Sequence, residues 1–161
     1  MKYVEPTSRY DWIMEAAELL GTGVVLLGTV CVGLVAHEFA HAAVLRCLGI
    51  PFDVDWLPTS TSRLDGRTHS ALAAVTPTRI PVETPTWGIQ LSAVAPLVLA
   101  TPFLLIVFGI VPDPLAMANP YLAGMTVAWL ACSLPSPQDF SVFWHADSLQ
   151  SGRKATPTAG D

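Results

Sequence analysis

Charge is scarce in this 161-residue chain. Asp, Glu, Lys and Arg make up 13% of it, against about 25% in an ordinary soluble domain. Hydrophobic residues make up 52%, and the mean hydropathy is +0.48. This balance argues against a water-soluble globule and for a membrane protein. Lysine is nearly missing, with only Lys2 and Lys154. A net charge of −5 argues against nucleic acid as a partner, because phosphate binding rests on clustered Lys and Arg. Cysteine is sparse as well. Cys31, Cys47 and Cys132 match no zinc spacing, and their odd number gives no disulfide framework. They are expected to be small buried apolar residues. The first 18 residues are polar and lack the layout of a secretory signal, so the apolar run after them is expected to be a retained membrane helix.

Three long stretches carry no charge at all: Leu19–Ala36, Trp87–Val111 and Leu115–Leu134. About 20 apolar residues cross the ~30 Å hydrocarbon layer. The expected fold is therefore an all-α membrane protein with three transmembrane helices, over about 20–48, 87–111 and 115–134. Residues 1–9 are expected to be loose. Tyr10, Trp12, Ile13, Ala16, Ala17, Leu19 and Leu20 fit a short interfacial helix before the first span, its aromatics at headgroup level. Gly49 and Pro51 mark the end of the first span. Pro96 and Pro102 should kink the second.

Between the first two spans, Phe52, Val54 and Trp56 alternate with Asp53 and Asp55, a strand pattern. A turn at Leu64–Arg67 and a weak strand over about Ser70–Val75 would complete a small β-hairpin. The competing view is a plain loop with one turn. A hairpin there would let an extended substrate add as another strand. Residues 1–150 read as one domain, and 151–161 as a disordered polar tail. No element is assigned to residues 141–150.

The chemistry concentrates in His37-Glu38-Phe39-Ala40-His41. On a helix, residues i and i+4 share a face, so His37 and His41 can offer two imidazole nitrogens to one metal ion. Glu38 lies about 100° around the helix, within reach of a water on that metal. H-E-x-x-H on a helix is the pattern of a zinc hydrolase: neutral nitrogen ligands, a Lewis acid and an adjacent base. Short motifs arise by chance, and a histidine near a helix end is often only packed. Here the three ionisable residues follow directly on an uncharged apolar run, and at membrane depth such residues are costly and mark function.

A third ligand is expected from Asp139. The prolines of Ser133-Leu134-Pro135-Ser136-Pro137-Gln138-Asp139 end the third span. Three crossings return the chain to the side on which the first span ends, which is the side nearest His37 and His41. Arg46, Arg63, Arg67, Arg79, Arg153 and Lys154 lie on that side, against Lys2 and Arg9 on the other. The positive-inside rule then makes the loop, the mouth of the site and the C-terminus cytoplasmic, in a multi-pass protein of the cell membrane.

Together these residues resemble the site-2 protease class of intramembrane zinc metalloproteases. The resemblance rests on His37–His41 in a membrane helix, on Ala95-Pro96 in a second apolar helix, and on the proline-rich approach to Asp139. It covers about residues 20–145. Ala95, Ser133 and Phe140 differ from the residues common in that class at those places, and no PDZ-like or CBS-like regulatory domain is present. The resemblance implies zinc held by His37, His41 and Asp139, with Glu38 as the catalytic base. It implies peptide hydrolysis within the bilayer, on a membrane protein or peptide. Leu64-Asp65-Gly66 also matches a signature of the class. It follows His41 too closely, without an intervening span, so Asp65 is the lesser candidate. His69 is a minor one. His145 would at most support Asp139 from behind. The competing function is a membrane adaptor that keeps the fold and cuts nothing; it has no need of the glutamate. Substrate identity, regulators and oligomeric state are not legible.

Overall fold

The structure is a computed structural model that describes residues 9–56, 73–78, 80–81 and 84–154. It is mostly helical, with one two-stranded antiparallel sheet. Helix α1 runs unbroken over Arg9–Cys47, 39 residues, or about 58 Å at ~1.5 Å per residue. The expected interfacial helix and first span are thus one element. No proline occurs between Pro6 and Pro51, so no missing N–H or ring clash ends the helix near Leu20. It ends where Gly49 adopts φ 68°. The N–H groups of Gly49 and Ile50 donate to the carbonyls of Arg46 and Leu45 at 3.1 and 2.9 Å, a Schellman closure.

Strands β1 (Phe52–Trp56) and β2 (Ala73–Pro77) follow. Phe52 faces Pro77, Val54 faces Val75 and Trp56 faces Ala73. The hairpin is present, with its second strand slightly later than the sequence pattern suggests. The turn at Leu64–Arg67, and with it Asp65 and His69, lies outside the described residues.

The second apolar segment is split by its prolines into α2 (Thr86–Val94), a 3-10 stretch (Ala95–Ala100) and α3 (Thr101–Val107). Prolines 96 and 102 each lack an N–H, which removes the α-helical donor to the carbonyl four residues earlier; the N–H groups of Ala95 and Thr101 reach those carbonyls, of Ser92 and Val98, from three residues on. Neighbours take up the slack. The Thr101 hydroxyl donates to the Val98 carbonyl, and the Trp129 indole N–H donates to Leu99 O at 2.9 Å.

Helix α4 (Pro120–Ser133) starts later than expected. Asn119 caps it, its side chain accepting from the N–H groups of Tyr121 and Leu122, with Pro120 as first residue. Asn then Pro is a strong helix start; residues 115–118 form turns instead. Helix α5 (Pro137–Lys154) occupies the segment to which no element was assigned. Its last residues, Ser151–Lys154, are helical where a disordered tail was expected; residues 155–161 lie outside the described part.

Helix α1 is the centre of the fold. It packs on α4, on the 3-10 stretch, on α2 and on β2, while α5 packs on α2. At Gly33, an added Cβ would lie 2.7 Å from Cys132 Sγ, so α1 and α4 meet there at backbone range, as small residues allow in membrane bundles. Two helical stretches, Tyr10–Cys47 and Thr86–Val107, are long and apolar enough to cross a membrane. The 14 residues of α4 rise only about 21 Å.

Candidate metal centre

Four elements meet around His37 and His41. The two histidines lie one turn apart on α1 with ring centroids 4.9 Å apart. They are 7% and 9% exposed. Across from them stands Asp139, at the start of α5. Its Oδ2 lies 3.4 Å from His37 Nε2, and its Oδ1 lies 3.3 Å from His41 Nε2. Among the described residues, these three form the group that could hold a metal ion, with ligand atoms all within 4.8 Å of one another.

Each imidazole is fixed by a backbone carbonyl at the end or the bend of a neighbouring helix. His37 Nδ1 pairs with the Cys132 carbonyl at 2.8 Å. Cys132 sits in the last turn of α4, where carbonyls have no helical partner. His41 Nδ1 pairs with the Ser92 carbonyl at 2.7 Å. Ser92 O also accepts the Ala95 N–H; Pro96, four residues on, cannot add the α-helical bond, so the second lone pair is left for His41. The helical defects that end α4 and kink the second apolar segment thus create the two acceptors that orient the rings.

With each Nδ1–H donated to a carbonyl, a neutral imidazole turns the lone pair of its Nε2 outward. Both lone pairs then face carboxylate oxygens at 3.3 and 3.4 Å. Acceptor against acceptor at that range needs a proton or a cation between them. Metal-binding histidines commonly anchor the second ring nitrogen in this manner, and the set of two nitrogens and one carboxylate fits a divalent cation of the zinc type.

Asp139 is held by a capping box. Its Oδ2 accepts from the Ser136 N–H at 2.6 Å, and its own N–H donates to Ser136 Oγ at 3.2 Å. The pattern S-x-x-D, with Pro137 as first helical residue, is a helix start. The prolines that end α4 therefore also launch α5 and aim its carboxylate. Burial works to raise the Asp139 carboxyl, but donors around it, His37 and His41 when their rings carry a proton on Nε2, and Ser136, outweigh it and hold the group well below the usual carboxylate range.

Glu38 is half-buried and does not belong to the three-residue group. Its Oε2 accepts from the Val75 N–H on β2 at 3.1 Å. This contact had no signal in the sequence, because it is made by a main-chain group. His145 is exposed, and its Nδ1 pairs with the Ser141 carbonyl of its own helix at 2.9 Å. That bond ties it to α5 itself, not to Asp139. No protein-family model, curated protein or solved structure matches this chain.

Proposed function

We propose that this chain is an intramembrane zinc peptidase of the site-2 protease kind, cutting membrane-embedded peptides. The observation that carries the proposal is the convergence of His37 Nε2, His41 Nε2 and the Asp139 carboxylate on one buried point, beside Glu38. In the proposed reaction His37, His41 and Asp139 hold the zinc, and the Cys132 and Ser92 carbonyls keep both rings in the ligating tautomer. Zinc, when bound, supplies Lewis acidity, which acidifies a water and polarises the scissile carbonyl. Glu38 takes a proton as that water adds to the carbonyl carbon. The C–N bond then breaks, and Glu38 delivers the proton to the departing amine.

A bilayer setting is supported by the apolar surface. Leu19, Leu20, Val24 and Leu27 on α1, and Met125, Val127 and Leu130 on α4, face outward, an arrangement that suits lipid and not water. In this reading α1, the α2–α3 segment and α4 are three crossings. The short α4 meets a bilayer of ~30 Å through local thinning. The hairpin and the mouth of the site are cytoplasmic. The substrate is a membrane segment able to unwind locally, because helical peptide bonds are shielded.

The test uses the full chain purified in detergent and returned to lipid vesicles with a membrane-peptide substrate. One zinc per chain and cleavage by the wild type are expected. Glu38→Gln should keep the zinc and lose about 10²–10⁴-fold in kcat, the usual worth of a general base. Zinc binding without cleavage would favour the adaptor reading; no zinc at all would end the metal assignment.

A further inference from the structure

Among the described residues, a main-chain hydrogen bond joins the hairpin to the site. The Thr78 N–H donates to the Pro51 carbonyl at 3.0 Å, and the register pairs Asp53 with Thr76 and Val54 with Val75. In an antiparallel ladder, hydrogen-bonded and non-bonded pairs alternate. Pro51–Thr78 is a bonded pair, so Asp53–Thr76 is bonded and Val54–Val75 is not. The Val75 N–H therefore points away from β1, toward the outer edge of β2. That edge lies against α1, and the Val75 N–H meets Glu38 Oε2 at 3.1 Å. Pro77, two residues on, has the same phase; its missing N–H falls on the same outer edge, where the ladder has no use for it.

We infer that the Val75 main-chain N–H is a positioning group for Glu38: it fixes one carboxylate oxygen and leaves the other, Oε1, aimed for proton transfer. A glutamate side chain has three torsions, and its helix alone leaves the carboxylate free to swing. A base must sit within ~2.6–3.2 Å of the proton it takes. A backbone donor from a paired strand is a rigid anchor for it, because its place is set by the β1 register. The hairpin is then part of the catalytic apparatus, whatever the substrate does there. This inference rests on the peptidase reading, and it is tested so that the two fail separately.

The variant that removes only the donor is Val75→Pro. Because the Val75 N–H takes no part in the β1–β2 ladder, proline is compatible with the strand, as Pro77 already is. Val75→Ala, which loses the same side chain but keeps the N–H, is its reference. In the full chain in vesicles, Val75→Pro should have a kcat at least tenfold below that of Val75→Ala, with KM and zinc affinity within threefold. Equal kcat values would overturn the positioning role while leaving the peptidase intact. Loss of zinc affinity in step with kcat would assign the effect to a distorted site and would overturn it as well. A readout free of catalysis is amide hydrogen exchange at Val75, followed in the zinc-loaded and zinc-stripped protein. Exchange should speed up at least tenfold in Glu38→Ala relative to wild type in both states. Unchanged exchange would remove the contact, and the inference with it, even in a fully active enzyme. A wild type that never cleaves would sink the peptidase reading, whereas the exchange measurement decides the Val75–Glu38 bond on its own.

Discussion

Along α1, every residue from Tyr10 to Leu20 is exposed, whereas Gly33, His37, His41, Ala42 and Leu45 are buried. The two halves belong to one helix without a break. The first half carries large apolar side chains on all sides, with Trp12, Ile13, Met14, Leu19 and Leu20 uncovered. In the second half, α2, α4, α5 and β2 gather on the stripe that holds the histidines. Hydrophobicity alone thus does not bring elements together in this chain. In the proposed bilayer setting an apolar residue is content with an apolar solvent, but the buried imidazoles and the Asp139 and Glu38 carboxylates need partners. In lipid, polar contacts and close backbone packing are what join helices.

The sharpest way to break this comparison is to remove one of the proposed zinc ligands. His41→Ala should bring zinc binding below detection by chelator competition, a larger loss than the ~10–100-fold of a change behind the ligands. Leu20→Ala, in the open half, should leave zinc affinity within twofold. If Leu20→Ala weakened zinc binding comparably, the two halves would not be independent.

Next in size is Pro96→Ala. A residue with an N–H at 96 can donate to the Ser92 carbonyl and compete with His41 for it. Zinc affinity should fall by about 10–100-fold with the helices still formed by circular dichroism. An unchanged affinity would mean that the proline serves the bend and not the ring.

The pH response separates the ligand types. Imidazoles must be neutral to bind metal, and histidine ordinarily titrates near 6.5. Asp139 is held below the usual carboxylate range, so it is already ionised there. Zinc affinity should therefore fall with acid in both the wild type and Asp139→Asn, although that variant binds more weakly throughout. The sign for folding follows as well. A carboxyl with a depressed folded-state pKa stabilises the fold above its unfolded value near 4, and that contribution is lost as pH falls through the folded value. A slope abolished in Asp139→Asn would move the titration onto the carboxylate.

The smallest effects come from paired glycine changes. A methyl at Gly33 would meet Cys132 Sγ at 2.7 Å, while one at Gly23 meets nothing within 4 Å. Gly33→Ala should destabilise by about 1–3 kcal/mol through overpacking. Gly23→Ala should be neutral or should stabilise by up to ~1 kcal/mol through helix propensity. Equal denaturation midpoints for both variants would show that α1 and α4 do not meet as closely as described.

Much of this architecture was legible because it depends on local pattern. The helical spacing of His37 and His41, the apolar runs, the stop at Gly49 and the proline kinks all act within a few residues. The alternation around Phe52–Trp56 foretold a strand. Other local signals lie at the helix starts. Asn119-Pro120 marks the start of α4, and Ser136-Pro137-Gln138-Asp139 is a capping box that opens α5. The prolines there act in two ways, because a proline suits the first turn of a helix as well as it ends the one before. The N-terminal boundary was misplaced for the opposite reason: the change from polar to apolar near Leu20 alters the solvent a helix prefers, not its backbone.

Residue type and spacing by themselves determined that two imidazoles and a glutamate share one apolar helix, and they pointed to Asp139 over Asp65 as the residue that joins them. Only the tertiary structure decided that Cys132 O and Ser92 O orient the rings, that Asp139 stands 3.3–3.4 Å from both, and that Val75 grips Glu38. The reason is physical. These contacts join main-chain atoms and side chains far apart in the chain, and a peptide group carries no mark of its identity in the sequence. Which carbonyl is left without a helical partner, and which N–H faces outward from a ladder, is settled when elements end, bend and pair.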